Sequence, residues 1–142
     1  MNDKLFYEES SFKYKGYLCK VLFMPLGHRC GYVKVPKYHP LFGKSYDECN
    51  EFIDCHGGLT YSGRYLVSEE LKYGEYWIGF DCMHVGDRID IESFKKYFPK
   101  EDVPHHAPSF HFGSVKTLEF CEEECKSIVD QLENLFAEKG PK

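Results

Sequence analysis

The chain lacks several features, and each absence narrows its class. Nowhere do 18 consecutive apolar residues occur, so no membrane-spanning helix is expected. No pair of the form Cys-x-x-Cys is present, which removes the common zinc-site and dithiol signatures. Met1-Asn2-Asp3-Lys4 leads into no apolar core of a secretory signal, and the seven cysteines are an odd number. Free thiols in a reducing cytoplasm are therefore expected. No repeat, low-complexity tract or linker rich in Pro, Gly or Ser divides the sequence, so residues 1–142 are expected to form a single domain.

An excess of positive charge is also missing. The net charge is −5, with eight Lys/Arg against five Asp/Glu in residues 1–50, six against nine in 51–100 and four against nine in 101–142. Binding to duplex nucleic acid rests on many phosphate contacts and is not expected. The basic first third can still attract a small anion. Aromatic residues are what the chain has in plenty: 12 Phe, 11 Tyr and one Trp, 17% of the whole. They suit a small dense core or a stacking pocket.

Residues 16–24 and 30–35 read as strands joined by a hairpin loop at Pro25-Leu26-Gly27-His28-Arg29, and Pro36 and Pro40 end the second strand. Ser45 through Phe52 reads as a short helix, with Ser45 as N-cap and Glu48 three residues on. Strands are predicted at 58–62 and 75–81, with a polar connection containing Ser68-Glu69-Glu70 between them. Residues 88–113 read mainly as loop with a helical turn at Glu92–Tyr97. Leu118, Cys121, Cys125, Ile128, Leu132 and Leu135 recur at spacings of three and four, which predicts a long helix capped by Thr117 and stopped at Gly140-Pro141. Cys121 and Cys125 on that stripe, like Cys19 in its strand, are expected to pack as small hydrophobes. The expected fold is α+β: a mainly antiparallel sheet with one long C-terminal amphipathic helix packed on it.

Two segments nearly rhyme: Asp54-Cys55-His56-Gly57-Gly58 and Asp81-Cys82-Met83-His84-Val85-Gly86-Asp87. Each is expected to follow a strand, Phe52-Ile53 in one case and Tyr76–Phe80 in the other, so that carboxylates and imidazoles stand beside flexible backbone at a loop mouth. If the loops meet, Asp54, His56, Asp81, His84 and Asp87 form one set. Such a set can hold a divalent metal, do general acid–base work or hydrogen-bond ribose-like hydroxyls. A nucleophilic pair, Cys55 with His84 or Cys82 with His56, is a weaker candidate, because nothing local marks a thiolate. Arg29, Lys34 and Lys37 are candidate phosphate contacts, with Tyr32 or Tyr38 stacking on a base. In His39-Pro40-Leu41-Phe42-Gly43-Lys44, the Gly-Lys pair resembles an anion-binding turn without the spacing of a P-loop. His105-His106, with His111 beyond, reads as a lid or a plain surface loop.

Cys30-Gly31-Tyr32-Val33 with Pro36, His39-Pro40-Leu41-Phe42-Gly43-Lys44, Tyr46-Asp47, His56-Gly57-Gly58-Leu59-Thr60-Tyr61-Ser62-Gly63, and Trp77-Ile78-Gly79-Phe80-Asp81-Cys82 with His84, Gly86 and Asp87 resemble a group of small phage and prophage proteins. The likeness spans roughly residues 30–87. It implies an accessory protein of a mobile element in the bacterial cytoplasm. Small phage proteins of this size include inhibitors, sponges for nucleotide immune signals and enzymes that degrade them; the resemblance itself assigns no catalytic residue.

The leading expectation is a site for a small polar ligand, nucleotide-like or phosphorylated. His56, Gly57, Gly58 and Thr60 would come from one loop and Asp81, His84 and Asp87 from the other. His39 and Lys44 would meet the anion, and Tyr61 or Trp77 would stack. The alternatives are metal-assisted hydrolysis, with Asp54, His56, Asp81, His84 and Asp87 as ligands and base, and a protein that docks on a host factor through aromatic surface. Self-association is compatible with all three.

Overall fold

Residues 17–23 and 29–34 are rich in buried apolar side chains, and the two segments pair. The computed structural model describes residues 6–64, 75–104 and 112–141. Strands β1 (Tyr7–Tyr14), β2 (Tyr17–Phe23) and β3 (Arg29–Lys34) run antiparallel in sequence order; β4 (Tyr61–Gly63) and β5 (Trp77–Asp81) complete a five-stranded antiparallel sheet of order β1-β2-β3-β5-β4. β5 lies beside β3 with Gly31 opposite Phe80. A Cβ on Gly31 would sit 2.4 Å from the Phe80 ring, so the bare backbone is what lets that ring cross the neighbouring strand.

The sequence reading places no strand at residues 7–14, and the structure adds one. The segment is polar and only partly buried, so it carries little apolar alternation. What makes it a strand is its turn: Lys15 and Gly16 both take positive φ, 51° and 86°, the conformation of a tight two-residue hairpin that sets Tyr14 opposite Tyr17. Local chemistry sets the remaining elements. The strand expected at 58–62 is the shorter β4, and that at 75–81 is β5. Phe52-Ile53 is no strand; it is the turn that ends helix α1 (Tyr46–Cys49), whose start has the expected capping box between Ser45 and Glu48. Helix α2 (Ile91–Tyr97) is the helical turn expected at Glu92–Tyr97, begun one residue earlier where the Asp90 side chain accepts the Ser93 amide and caps it. Finally, β6 (Asp87–Arg88) and β7 (Ser114–Val115) form a short parallel pair. Ser68–Glu70, His105, His106 and His111 lie outside the described residues.

Helix α3 (Leu118–Lys139) is the long C-terminal helix of the expected α+β arrangement. The Thr117 hydroxyl accepts the Phe120 amide at its start, and Gly140 closes its end. Its buried stripe of Cys121, Cys125, Ile128, Val129, Leu132 and Leu135 packs on the sheet face formed by Tyr17, Cys19, Val21, Val33, Ile78 and Phe80. The opposite face carries a second apolar group, with Leu22, Cys30, Tyr32 and Trp77 buried. All seven cysteines are free, and Cys19, Cys121 and Cys125 are core residues as expected. No helix among the described residues is long and apolar enough to cross a membrane.

Arg29 is the polar pin of this fold. It is buried, and all five of its N–H groups are used: Nε and one terminal nitrogen grip the Glu9 carboxylate at 2.6 and 3.0 Å, and the others reach Asp90 (2.9 Å), the Lys116 carbonyl (3.1 Å) and Ser93 (3.1 Å). Glu9 is turned inward by a bulge in β1 between Glu8 and Ser10. Arg29 is therefore not a phosphate contact. Lys34, the second cation of that expectation, is paired with Glu75 at 2.9 Å.

Candidate functional site

The two rhyming segments do meet. The first reaches the site from α1 through a turn whose main chain is fixed from α3: Gln131 bonds the Asp54 amide and carbonyl, both at 2.7 Å, and the Glu124 carboxylate accepts the His56 amide at 2.8 Å. The second leaves the end of β5 and returns as β6. At their junction His56 Nε2 lies 2.8 Å from Asp87 Oδ2, and the His56 and His84 rings are 5.7 Å apart, edge to face. Phe120 of α3 packs edge-on against His56 at 5.3 Å.

Asp87 organises the cluster. Its side chain is 2% exposed and accepts from three directions: His56 Nε2, the His84 amide at 3.0 Å and Lys116 Nζ at 3.0 Å. Burial pushes its acidity down, yet the hydrogen bonds from His56, the His84 amide and Lys116 outweigh burial and hold the carboxyl below its ordinary value. An ionised carboxylate only accepts, so Nε2 of His56 carries a proton, and in the neutral imidazole Nδ1 offers a lone pair. Nδ1 has no hydrogen-bond partner among the described residues.

A second carboxylate–imidazole contact stands beside the first. Asp81 accepts the Thr60 hydroxyl at 2.8 Å and the Met83 amide at 3.0 Å, and its Oδ1 lies 3.2 Å from His84 Nε2. That last contact is close but not aligned as a hydrogen bond, and His84 Nε2 is buried with no hydrogen-bond partner among the described residues. Gly57 explains how the ring fits. It has φ 69°, and a Cβ there would lie 2.2 Å from His84 Nε2, so the imidazole rests directly on the glycine backbone. Gly58 turns the chain back, its amide bonded to Cys55 O at 2.9 Å.

Comparison of the chain with protein-family models, with curated proteins and with solved structures finds no match. The chemistry of the site rests on its own geometry.

Of the residues singled out from sequence, His56, Gly57, Thr60, Asp81, His84 and Asp87 are together here, with Gly58 in the adjoining turn. Asp54 adjoins them, but its side chain points to solvent and only its main chain is engaged. The other expected ligand contacts are elsewhere, and each displacement has a physical cause. His39 is fully buried: its Nδ1 accepts the Leu41 amide at 3.0 Å and its Nε2–H donates to Leu132 O at 2.8 Å. Burial lowers its basicity, so it is a neutral core residue with both nitrogens used, not an anion contact. Lys44 lines a hollow of about 350 Å³ beside Lys139, at the far end of α3. Fifteen residues of helix separate Lys139 from Glu124, about 22 Å. Trp77, 3% exposed, and Tyr61, edge-on to Tyr32 at 5.7 Å, belong to the sheet face away from α3 and offer the cluster no stacking surface.

The nucleophilic and metal readings fare no better. Burial, then the carboxylates of Glu124, Asp54 and Asp81, push the Cys55 thiol up to about 12. The Cys82 thiol is raised further by its contact with Cys121, 3.6 Å away, and by burial. Neither is a thiolate near neutrality. No group of three or more His, Cys, Asp or Glu among the described residues is disposed to hold a metal ion.

Lys116, Phe120 and Glu124 are the participants that sequence reading missed. Lys116 reaches Asp87 because β6 and β7 pair with Arg88 opposite Val115. No local pattern announces a two-residue parallel bridge. Phe120 and Glu124 sit one turn apart on α3 and were legible only as helix, not as neighbours of His56.

Proposed function

We propose that the junction of the two loops binds a small, polar, hydroxyl-bearing ligand of the nucleotide class, contacting its sugar more than its phosphate. The observation that carries this reading is the paired imidazoles: His56 with a free Nδ1 acceptor, and His84 with a buried Nε2 that lacks an aligned partner, 5.7 Å apart by ring centres. A buried polar atom without a partner costs about 1–3 kcal/mol, which a ligand hydroxyl or a water would recover. The charge balance supports sugar over phosphate. Asp81, Asp87 and Glu124 surround the junction, Lys116 is already paired with Asp87, and the two expected anion contacts, His39 and Lys44, are elsewhere. On the resemblance to phage and prophage proteins, the ligand is a nucleotide immune signal that the protein sequesters.

Isothermal titration with cyclic and ADP-ribose-type nucleotides tests this. Binding that is lost in His56→Ala and kept in Lys44→Ala is expected. Silence across the panel at high protein concentration counts decisively against it.

A second reading, turnover of that ligand, is favoured by the His56–Asp87 contact. A carboxylate that fixes an imidazole tautomer prepares Nδ1 to take a proton. Chromatography of the same nucleotides after incubation separates the two readings: new products mean catalysis, and unchanged nucleotide with binding heat means sequestration.

A further inference from the structure

We propose that two copies of the chain associate through β1, edge to edge and antiparallel, about a two-fold axis at Ser11. β1 is an edge of the sheet, and no strand among the described residues pairs with its outer side. An open edge of eight residues is a template for another strand. Its own sequence says which strand suits it.

The bulge at Glu9 decides the register. Ser10, Phe12 and Tyr14 stand opposite Val21, Cys19 and Tyr17, whose side chains face α3, while Glu8, Ser11 and Lys13 stand opposite Leu22, Lys20 and Leu18 on the other face. Directly opposed residues of an antiparallel pair share a face. Without a bulge, Glu8 and Lys13, five apart, would point to opposite faces and could never oppose each other in a symmetric pair. With Glu9 bulged inward onto Arg29, they share one face.

Placing Ser11 opposite its copy then sets Ser10 against Phe12, Glu8 against Lys13 and Tyr7 against Tyr14. Every pairing keeps to one face, and the two-fold repeats each of them. The result is two Glu–Lys contacts and two Tyr–Tyr contacts across one strand pair. The outer charges are available. Glu8 is 38% exposed, and Lys13 is exposed with no ion pair among the described residues. Glu8 already holds Lys20 at 3.0 Å, so Lys13 from the second copy would place its carboxylate between two cations. A bulge and a lysine ordinarily discourage edge pairing with arbitrary strands. Here they leave this strand complementary to itself.

Light scattering and sedimentation on the full chain test the proposal. The wild-type protein is expected to dimerise. Lys13→Glu and Glu8→Lys, each alone, oppose like charges twice and are expected to weaken the dimer roughly tenfold or more. Mixed in equal amounts, the two variants regain both opposite-charge contacts and are expected to form a heterodimer, as the double variant Glu8→Lys/Lys13→Glu regains a homodimer. Circular dichroism melts confirm that each variant is folded. A wild-type protein that stays monomeric at roughly 100 µM, a Lys13→Glu dimer as tight as wild type, or a mixture that fails to associate each overturns the proposal.

Discussion

Replacing Asp87 by Asn removes one charge from the centre of the site while keeping shape and volume. The carboxylate accepts from His56 Nε2 at 2.8 Å, the His84 amide at 3.0 Å and Lys116 Nζ at 3.0 Å. The amide has one acceptor oxygen and brings an NH2 that must face either a histidine N–H or an ammonium, donor against donor. Hydrogen bonds to charged groups contribute about 1.5–3 kcal/mol each, and such losses do not add in full. A loss of about 2–4 kcal/mol is expected, a large fraction of the 5–15 kcal/mol typical of a domain. Urea unfolding reads this as a lower midpoint at unchanged slope. The pH dependence supplies an independent check. The folded carboxyl lies below its ordinary value, so its stabilisation is complete above about pH 4 and is lost as pH falls through the folded value. The gap between wild type and Asp87→Asn is therefore widest near neutrality and closes in acid. Nitrogen NMR of the imidazoles completes the test: wild-type His56 shows the Nε2–H tautomer, and the variant loses that preference. A variant within about 0.5 kcal/mol of wild type, or a gap that does not narrow as the solution is acidified below about pH 4, would refute the account of Asp87 as the charged centre of the site.

Two further predictions concern residues that the fold draws away from the junction of the two loops. Burial holds His39 below its ordinary basicity, so the unfolded chain takes up its proton first and wild-type stability falls as pH drops below about 6.5; His39→Gln is expected to flatten that slope in urea titrations between pH 7 and 5, and an unchanged slope refutes the buried neutral assignment. Arg29→Lys keeps the charge and loses the fork on Glu9 along with the bonds to Asp90, Ser93 and the Lys116 carbonyl, at a cost of about 2–4 kcal/mol. Thermal melting within about 1 °C of wild type would show that this network contributes little.

How far the sequence could be read depended on whether a signal was periodic or relational. The α3 stripe from Leu118 to Leu135 and the Ser45–Glu48 capping box are local patterns, and both are where they were expected. β1 was illegible because half-buried edge strands need no apolar alternation; the Lys15-Gly16 turn was its one signal. At the candidate site, glycine-flanked Asp and His pointed to two loops that do meet. Convergence itself was an inference from resemblance between two segments, and one premise behind it was mistaken, since Phe52-Ile53 is a turn. His39 and Trp77 show the complementary error. Each has the chemistry of a ligand contact, and each is spent on the interior, where an imidazole can join a turn to a helix carbonyl and an indole can fill the underside of a sheet.

The guanidinium of Arg29 joins residues that are far apart along the chain: Glu9 in the first strand, Asp90 and Ser93 at the start of a helix, and Lys116 just before the last helix. None of these partners is near Arg29 in sequence, so the loops that bring them together must all close before every N–H of the guanidinium is satisfied. One side chain thereby ties the first strand to the start of the last helix, so loosening either end leaves part of a buried guanidinium without its partners.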